Sequence, residues 1–327
     1  MIKLWDVNNF GFAPSEEKYA YFYKICLLKL YKEKYLFRRT KLILLIGKNG
    51  QLGKELCNLL DEKGILYLAT DSKELDITNK SDVDSYFYYN QPEIVYLCAG
   101  YTDVEKAEKE WSLLINYWGT RYVAEVVERI GRTLVYISTD YVFSGKLNIE
   151  QKWDITDVMN PLSEYGQTKL LGEFVVIDNN VKHFIIRTSW LFGNYGDNII
   201  LTLKNQVKHK QHQKIMVVND QHGCPTWTRT LAEFMLYLIK NNSELGTYHL
   251  TNDSTSSEAI SWFDFAKHIL EKDYVEVLPI SSDYLSSKVD RPYNSTLNII
   301  KAKNTGFLIP TWQEVLEIIE NCQLNNR

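Results

Sequence analysis

The chain has 327 residues, about twice an ordinary single domain, which favours one large α/β unit with an appended lobe and excludes a small disulfide or zinc scaffold. Hydrophobic residues make up 45% and charged residues 24%, and 37 basic against 41 acidic side chains leave a net charge of −4, so the balance does not point to nucleic acid or another polyanion. Five cysteines, Cys26, Cys57, Cys98, Cys224 and Cys322, are scattered without a C-x-x-C pair, which reads as reduced thiols in a cytoplasmic protein without a catalytic metal.

Residues 1–40 are aromatic, basic and amphipathic, with Tyr19, Phe22, Tyr23, Leu27 and Leu30 able to share a helical face. They are expected to form a helix on the main body or an irregular extension, of unknown role. The apolar stretch Ile25–Lys32 is broken by lysines, short of the roughly 20 apolar residues a membrane span needs, and no secretory core or cleavage site follows it.

From Lys41 the pattern changes. Leu42–Ile46 is a continuous apolar run, as expected of a strand covered on both faces of a parallel sheet. Gly47, Gly50 and Gly53 follow in a G-x-x-G-x-x-G turn, and Leu52, Leu56, Leu59 and Leu60 then repeat at helical spacing up to Gly64. Glycine is needed here because the chain turns sharply, must let a pyrophosphate approach its backbone, and packs the helix closely on the strand; the helix start offers N–H groups to the phosphates. A second strand, Ile65–Thr70, ends at Asp71, whose carboxylate suits an adenosine ribose, while Ser72 and Lys73 suit a 2′-phosphate. NADH and NADPH both remain open.

Further apolar runs at Ile94–Gly100, Leu134–Ser138 and Phe184–Ile186 are separated by helical stretches, one starting at Asp103. This alternation means βαβ units and an α/β, doubly wound parallel (Rossmann) sheet. The expected division is an extension at 1–40, a dinucleotide-binding domain at 41–187, and a smaller, mainly substrate-binding lobe at 188–327, some of whose segments return to the sheet.

Between the fifth and sixth strands, Tyr165 and Lys169 stand at i, i+4 on an expected helix. A phenol near pKa 10 is a poor acid or base at neutral pH, but a neighbouring ammonium favours the phenolate and draws that value down, making a switchable proton donor. Ser138, Thr139 and Asp140 lie at the C-terminal end of the preceding strand, where ligands of open α/β sheets bind.

The glycine turn, a Ser/Thr at the end of the fifth strand and Y-x-x-x-K together resemble the extended short-chain dehydrogenase/reductase family. Within it, residues 41–322 resemble the dTDP-4-dehydrorhamnose reductases through collinear phrases: Gly50–Gly53, Leu75–Asn79, Thr102–Glu108, Ser138–Phe143, Asn160–Gly166, Arg187–Trp190, Asn219–Thr226 and Arg291–Ser295. The resemblance implies NAD(P)H-dependent reduction of the 4-keto group of dTDP-4-dehydro-L-rhamnose to dTDP-L-rhamnose, for cell-surface polysaccharide. It implies a catalytic triad of Thr139, polarising the ketone, Tyr165, delivering the proton, and Lys169, holding the nicotinamide ribose. Gly47, Asn49, Gly50, Gln51, Leu52 and Gly53 would face the dinucleotide, with Asp71, Ser72 and Lys73 at its ribose. Asp76 and Ile77 would lie by the adenine, Ala99 and Gly100 along the ribose-phosphate path, and Thr102 near the nicotinamide half. Thr139, Asp140, Trp190, Asn198, Thr226 and Arg291 would line the nucleotide-sugar side, Arg291 matching a diphosphate. No nucleic acid or membrane partner is implied, and a homodimer is left open.

Departures from the family pattern are Asp103-Val104-Glu105, where Ala-Val-Asp is usual, and Ser163-Glu164 before Tyr165, where Asn-Val is frequent. Both bear on the substrate edge. A 4,6-dehydratase carries Glu where Tyr141 stands, and an epimerase carries small residues where Asp140 and Tyr141 stand. A non-catalytic NADP-binding regulatory subunit has no need of a tuned phenol. His209 and His212 read as solvated, and His222 with Cys224 is two ligands short of a zinc site.

Overall fold

The computed structural model describes residues 41–107, 112–209, 214–255, 259–273, 275–285 and 289–324. The expected amphipathic segment in 1–40 with Cys26, together with Glu108 and His212, lies outside the described residues, as do the side chains of His209 and Cys322.

The apolar run after Lys41 forms β1 (Ile43–Ile46), buried throughout, and the glycine turn leads into α1 (Gln51–Glu62). The helix ends as Gly64 takes φ +61, a left-handed conformation that glycine adopts freely. Then come β2 (Tyr67–Thr70), α2 (Lys80–Asn90), β3 (Ile94–Leu97), α3 (Val104–Ala107), a π-helical turn (Leu114–Gly119) running into α4 (Thr120–Arg129), β4 (Thr133–Thr139), α5 (Glu164–Asp178) and β5 (Lys182–Thr188). The remaining chain forms β6 (Leu191–Phe192), α6 (Ile199–His209), β7 (Lys214–Val218), β8 (His222–Gly223), β9 (Thr226–Trp227), α7 (Thr228–Lys240), β10 (Gly246–His249), β11 (Ile260–Ser261), α8 (Trp262–Leu270), β12 (Glu276–Ile280), α9 (Ile300–Asn304) and α10 (Trp312–Leu324).

Six strands make one parallel sheet in the order β10-β5-β4-β3-β1-β2. One face is closed by Leu52, Leu56, Leu59 and Leu60 of α1 and by Leu231, Phe234, Met235 and Leu238 of α7, packed on Leu45, Tyr96, Val135 and Ile186. The alternate strand residues Leu44, Val95, Leu134 and Ile185 are equally buried, as a sheet covered on both faces requires. The chain runs outward from β1 to β2 and then crosses back to β3, which pairs with the other edge of β1. That reversal opens a crevice above the C-terminal ends of β1 and β3. A second core gathers Phe192, Leu203, Ile215, Phe265, Ile269, Trp312 and Val315, under the short parallel pair of β7 and β12. The main sheet takes four strands, β1–β4, from the first half of the sequence and two, β5 and β10, from the second.

Thr139 closes the fourth strand, not the fifth, and Tyr165 lies between the fourth and fifth. Between β2 and α2 the chain turns, held by short polar side chains. Asp71 Oδ1 accepts from the amides of Lys73 (2.9 Å) and Glu74 (3.3 Å), and Asp76 Oδ1 accepts from that of Thr78 (2.9 Å). Short polar side chains bonded to nearby amides stabilise turns in this way.

Candidate active site

The glycine turn sits at the crevice. Gly47 has φ +97, and a Cβ there would stand 2.5 Å from the Ala99 amide nitrogen. A Cβ on Gly53 would stand 2.1 Å from the Gly47 carbonyl oxygen, so only glycine lets the first turn of α1 lie on the loop. Gly50 is the N-cap of α1 and has no side chain to occupy the first-turn amides, which leaves the backbone of Gln51, Leu52 and Gly53 open to an anion. The Leu52 side chain itself points into the core. Gln51 lies against Gly196 of the second lobe, its Nε2 buried without a partner.

At the end of β2, Asp71 is tied into place: Asn49 Nδ2 donates to its Oδ2 (2.8 Å), and the turn amides bond its Oδ1. The Lys73 amide, with lesser help from Lys48 and Asn49, holds this carboxyl below its usual range. Glu74 binds the Asp71 amide at 3.0 Å and pairs with Lys48. Ser72 and Lys73 are exposed beside it. Asp76 is engaged with Thr78, Ile77 is buried against Gly119, and Thr102 is exposed. Gly100 faces both Asn116 Oδ1 and Lys169 Nζ. Asn116, buried in the π-helical turn, clamps Tyr101 through both its amide atoms and donates to Thr168 Oγ1 at 3.1 Å.

The structure brings Thr139, Tyr165 and Lys169 together at the C-terminal edge of β4. Ser163 caps α5 by accepting from the Gly166 amide at 3.2 Å, which starts the helix in register for Tyr165; the departure from the family pattern here supplies a good cap. A Cβ on Gly166 would stand 2.3 Å from the Tyr141 carbonyl, so the helix start lies directly on the strand end. The Tyr165 and Tyr141 rings meet edge to face at 5.5 Å. Burial pushes the Tyr165 hydroxyl well above its ordinary value, and its hydrogen bond with Thr139 opposes the shift.

The expected tuning of the phenol by the ammonium is not what the geometry shows. Lys169 Nζ donates to the Ile137 carbonyl at 2.6 Å and lies 4.2 Å over the Tyr136 ring. Burial pushes the ammonium down to about 7, with Glu173 opposing. Desolvation disfavours both charged forms, which keeps the phenol protonated. Thr139 Oγ1 donates to Asp140 Oδ1 (3.0 Å) and accepts from the Tyr141 amide (3.2 Å). Asp140 is 3% exposed, and burial raises its carboxyl to about 6, opposed by hydrogen bonding with Ser295 and Thr139.

On the sugar side, Arg291 Nη2 pairs with Glu105 Oε1 at 2.8 Å and Nη1 donates to the Tyr141 hydroxyl at 3.4 Å. Glu105, one of the departures from the family pattern, is thus the partner of the expected diphosphate ligand. Trp190 takes φ +50 and stacks on Trp262, centroids 3.5 Å apart at 8°. Gly223 permits this, since a Cβ there would lie 2.7 Å from the indole. Asn198 serves the adjoining loop: its amide donates to the carbonyls of Gly193 (3.0 Å) and Gly196 (3.3 Å), and its Oδ1 accepts from the Leu201 amide. Thr226 is fully buried, its hydroxyl 3.3 Å from that of Thr188. Sequence reasoning missed two groups. Tyr141, noted only as a departure from the dehydratases, links Arg291 to Tyr165. Arg187 and Glu173 form a buried ion pair beneath the triad; its signal was a lone arginine ending the apolar run of β5.

The family model described as the RmlD substrate binding domain matches residues 40–323. A Bacillus subtilis protein named "Spore coat polysaccharide biosynthesis protein SpsK" is 36% identical over 278 residues, 84% of this chain and 95% of that one. The dTDP-4-dehydrorhamnose reductase of Aggregatibacter actinomycetemcomitans is 34% identical over 295 residues, 85% of this chain and 97% of that one. The crystal structure of the Bacillus anthracis dTDP-4-dehydrorhamnose reductase in complex with NADP superposes with a TM-score of 0.80 at 39% identity, covering 86% of this chain and 99% of that one. The chain belongs to the dTDP-4-dehydrorhamnose reductase family, which the RmlD substrate binding domain describes.

Proposed function

We propose that the chain is an oxidoreductase that reduces the 4-keto group of dTDP-4-dehydro-L-rhamnose to dTDP-L-rhamnose with NADPH or NADH. The observation that carries this reading is the convergence of Thr139, Tyr165 and Lys169 at the strand end beside the glycine turn. The residues present fit a dinucleotide: Gly47 and Gly53 have no room for a Cβ, and the uncapped first turn of α1 leaves its amides for a pyrophosphate. Asp71, a held and ionised carboxylate, suits a ribose hydroxyl. When bound, the reduced nicotinamide supplies a hydride.

The chain's own part is the proton. A ketone that gains a hydride becomes an alkoxide, and the Tyr165 hydroxyl gives it the proton, leaving a phenolate. With its hydroxyl raised above the ordinary value by burial, the phenol is protonated at neutral pH before the transfer. Lys169, in the same site, would hold the nicotinamide ribose with its ammonium, and can reach the phenolate only by leaving the Ile137 carbonyl to which it now donates. Thr139 can polarise the ketone only when its hydroxyl proton turns away from Asp140, so substrate entry must rearrange that bond. Arg291, held by Glu105, offers a fork to the diphosphate, and Trp190 on Trp262 offers an apolar wall to the sugar. Among the described residues no helix is long and apolar enough to cross a membrane; we read the protein as cytoplasmic. The test is nicotinamide absorbance with the dTDP-4-keto sugar, and separately with its UDP and GDP counterparts. Oxidation with the dTDP sugar alone supports the full reading, and oxidation with none of them refutes it.

A further inference from the structure

Directly below the triad lies an ion pair that touches neither crevice nor solvent. Arg187 is 3% exposed and Glu173 not at all. The guanidinium grips the carboxylate twice over, Nε to Oε1 at 2.9 Å and Nη2 to Oε2 at 2.7 Å. Arg187 also donates from Nη1 to the Ile155 carbonyl at 3.3 Å and from Nη2 to Met159 Sδ at 2.9 Å, and it stands 5.2 Å from the centre of the Phe143 ring. One side chain thus ties α5 to β5, to the loop of residues 155–159, and to the segment that follows Thr139.

Its position in the register is specific. Arg187 is the cross-strand partner of Ser138, and Thr188 that of Thr139. Glu173 stands four residues after Lys169 and eight after Tyr165, one and two turns along the same face of α5. The pair therefore joins the strand that flanks Thr139 to the helix that carries the phenol and the ammonium. For stability alone, packed apolar residues of like volume serve a buried site as well as an ion pair does.

Lys169 is the group that reports on the pair. Facing its ammonium are the Ile137 carbonyl and Tyr136 ring from β4, Cys98 from the end of β3, Asn116 across Gly100, and Glu173 from its own helix. Glu173 is the carboxylate among them that opposes the loss of charge. The Tyr136 hydroxyl, donating to the Lys169 carbonyl at 3.2 Å, closes the contact between helix and strand.

We propose that Arg187 and Glu173 are a positioning pair: they set α5 against the strands so that Tyr165 stands beside Thr139, with Lys169 one turn further along the helix. This rests on the reading of Tyr165 and Lys169 as the proton-handling residues.

The test uses the full chain with Glu173→Gln, Arg187→Met, the double variant Glu173→Leu/Arg187→Met, and Tyr165→Phe. Thermal midpoint, the NADH Kd by fluorescence titration, and kcat against pH are measured for each. Glu173→Gln keeps volume and an acceptor for Arg187, so it folds even where Arg187→Met does not. The double variant is expected to recover most of the thermal midpoint lost by Arg187→Met, while its kcat stays about tenfold or more below wild type and its NADH Kd rises about threefold or more. Recovery of wild-type kcat, Kd and pH profile along with stability makes the pair merely structural and overturns the proposal. Wild-type turnover by Tyr165→Phe overturns the reading beneath it as well, which separates the two failures.

Discussion

The hydroxyl proton of Thr139 is held by its neighbour Asp140, Oγ1 to Oδ1 over 3.0 Å. A hydroxyl has one proton to give, so a Thr139 bonded this way accepts from the Tyr141 amide and has nothing left for a substrate carbonyl. Asp140 therefore governs when Thr139 becomes a donor, and the state of its buried carboxyl matters both to catalysis and to stability.

Burial raises the Asp140 carboxyl from 3.8 to about 6. The sign is that of a group that holds its proton more tightly when folded: between these values the folded state binds the extra proton, so stability falls as pH rises from roughly 4 to 6 and is flat above. Each unit is worth about 1.4 kcal/mol, so the ionised form costs the fold a few kcal/mol at neutral pH. Asp140→Asn should abolish this slope and raise the thermal midpoint at pH 7 relative to wild type. Denaturation of wild type and variant across this pH range checks it through their difference, since buried His249 adds a slope of opposite sign to both, and a difference that does not change with pH contradicts the assignment to Asp140.

Tyr165→Phe removes the proton donor and keeps the ring that meets Tyr141. Turnover should fall by about a hundredfold to ten-thousandfold, the usual contribution of general acid catalysis, with NADPH affinity within about twofold of wild type. Steady-state kinetics beside a fluorescence titration separates the two quantities.

Lys169→Met deletes the ammonium and keeps most of the stem that packs on Tyr136. Both turnover and dinucleotide affinity should weaken, because one group serves the phenolate and the ribose. Unchanged affinity with lowered turnover would confine Lys169 to the phenol.

Gly53→Val should abolish dinucleotide binding. Its Cβ would need to occupy a place 2.1 Å from the Gly47 carbonyl oxygen and 3.0 Å from Lys48 Cα, so the loop must move away from the phosphate path. Calorimetric titration with NADPH shows the loss, and normal binding by a folded variant would refute this placement of the turn.

Much of this was legible in the residues, for identifiable reasons. The parallel sheet announces itself because strands covered on both faces leave continuous apolar runs, as at Ile43–Ile46, and the turn because Gly47 and Gly53 have no room for a side chain. What pairwise spacing could not carry was the direction of hydrogen bonds and the cost of burial. Tyr165 and Lys169 read as a phenol tuned by a charge; in the fold the lysine turns to the Ile137 carbonyl and both groups are driven toward neutrality. Asn198 and Thr226 carry residue types that suit a sugar, yet their polar atoms are spent on Gly193, Gly196 and Thr188, which only tertiary contacts decide. The strand count ran one too high, since Thr139 closes the fourth strand of the sheet and Tyr165 lies before the fifth. Glu105 looked like a loss at the substrate edge until Arg291, far along the chain, proved to be its partner.

The central claim is that this site delivers a hydride to a sugar ketone and a proton to its oxygen. The most direct measurement is incubation of the full chain with dTDP-4-dehydro-L-rhamnose and a reduced nicotinamide deuterated at the transferred position, followed by nuclear magnetic resonance of the product. The account predicts dTDP-L-rhamnose carrying deuterium at C4, formed in step with oxidised cofactor, and no product from Tyr165→Phe on the same timescale. Binding of cofactor and sugar by a folded protein without label at C4, or a C4-labelled product formed as fast by Tyr165→Phe, would contradict it.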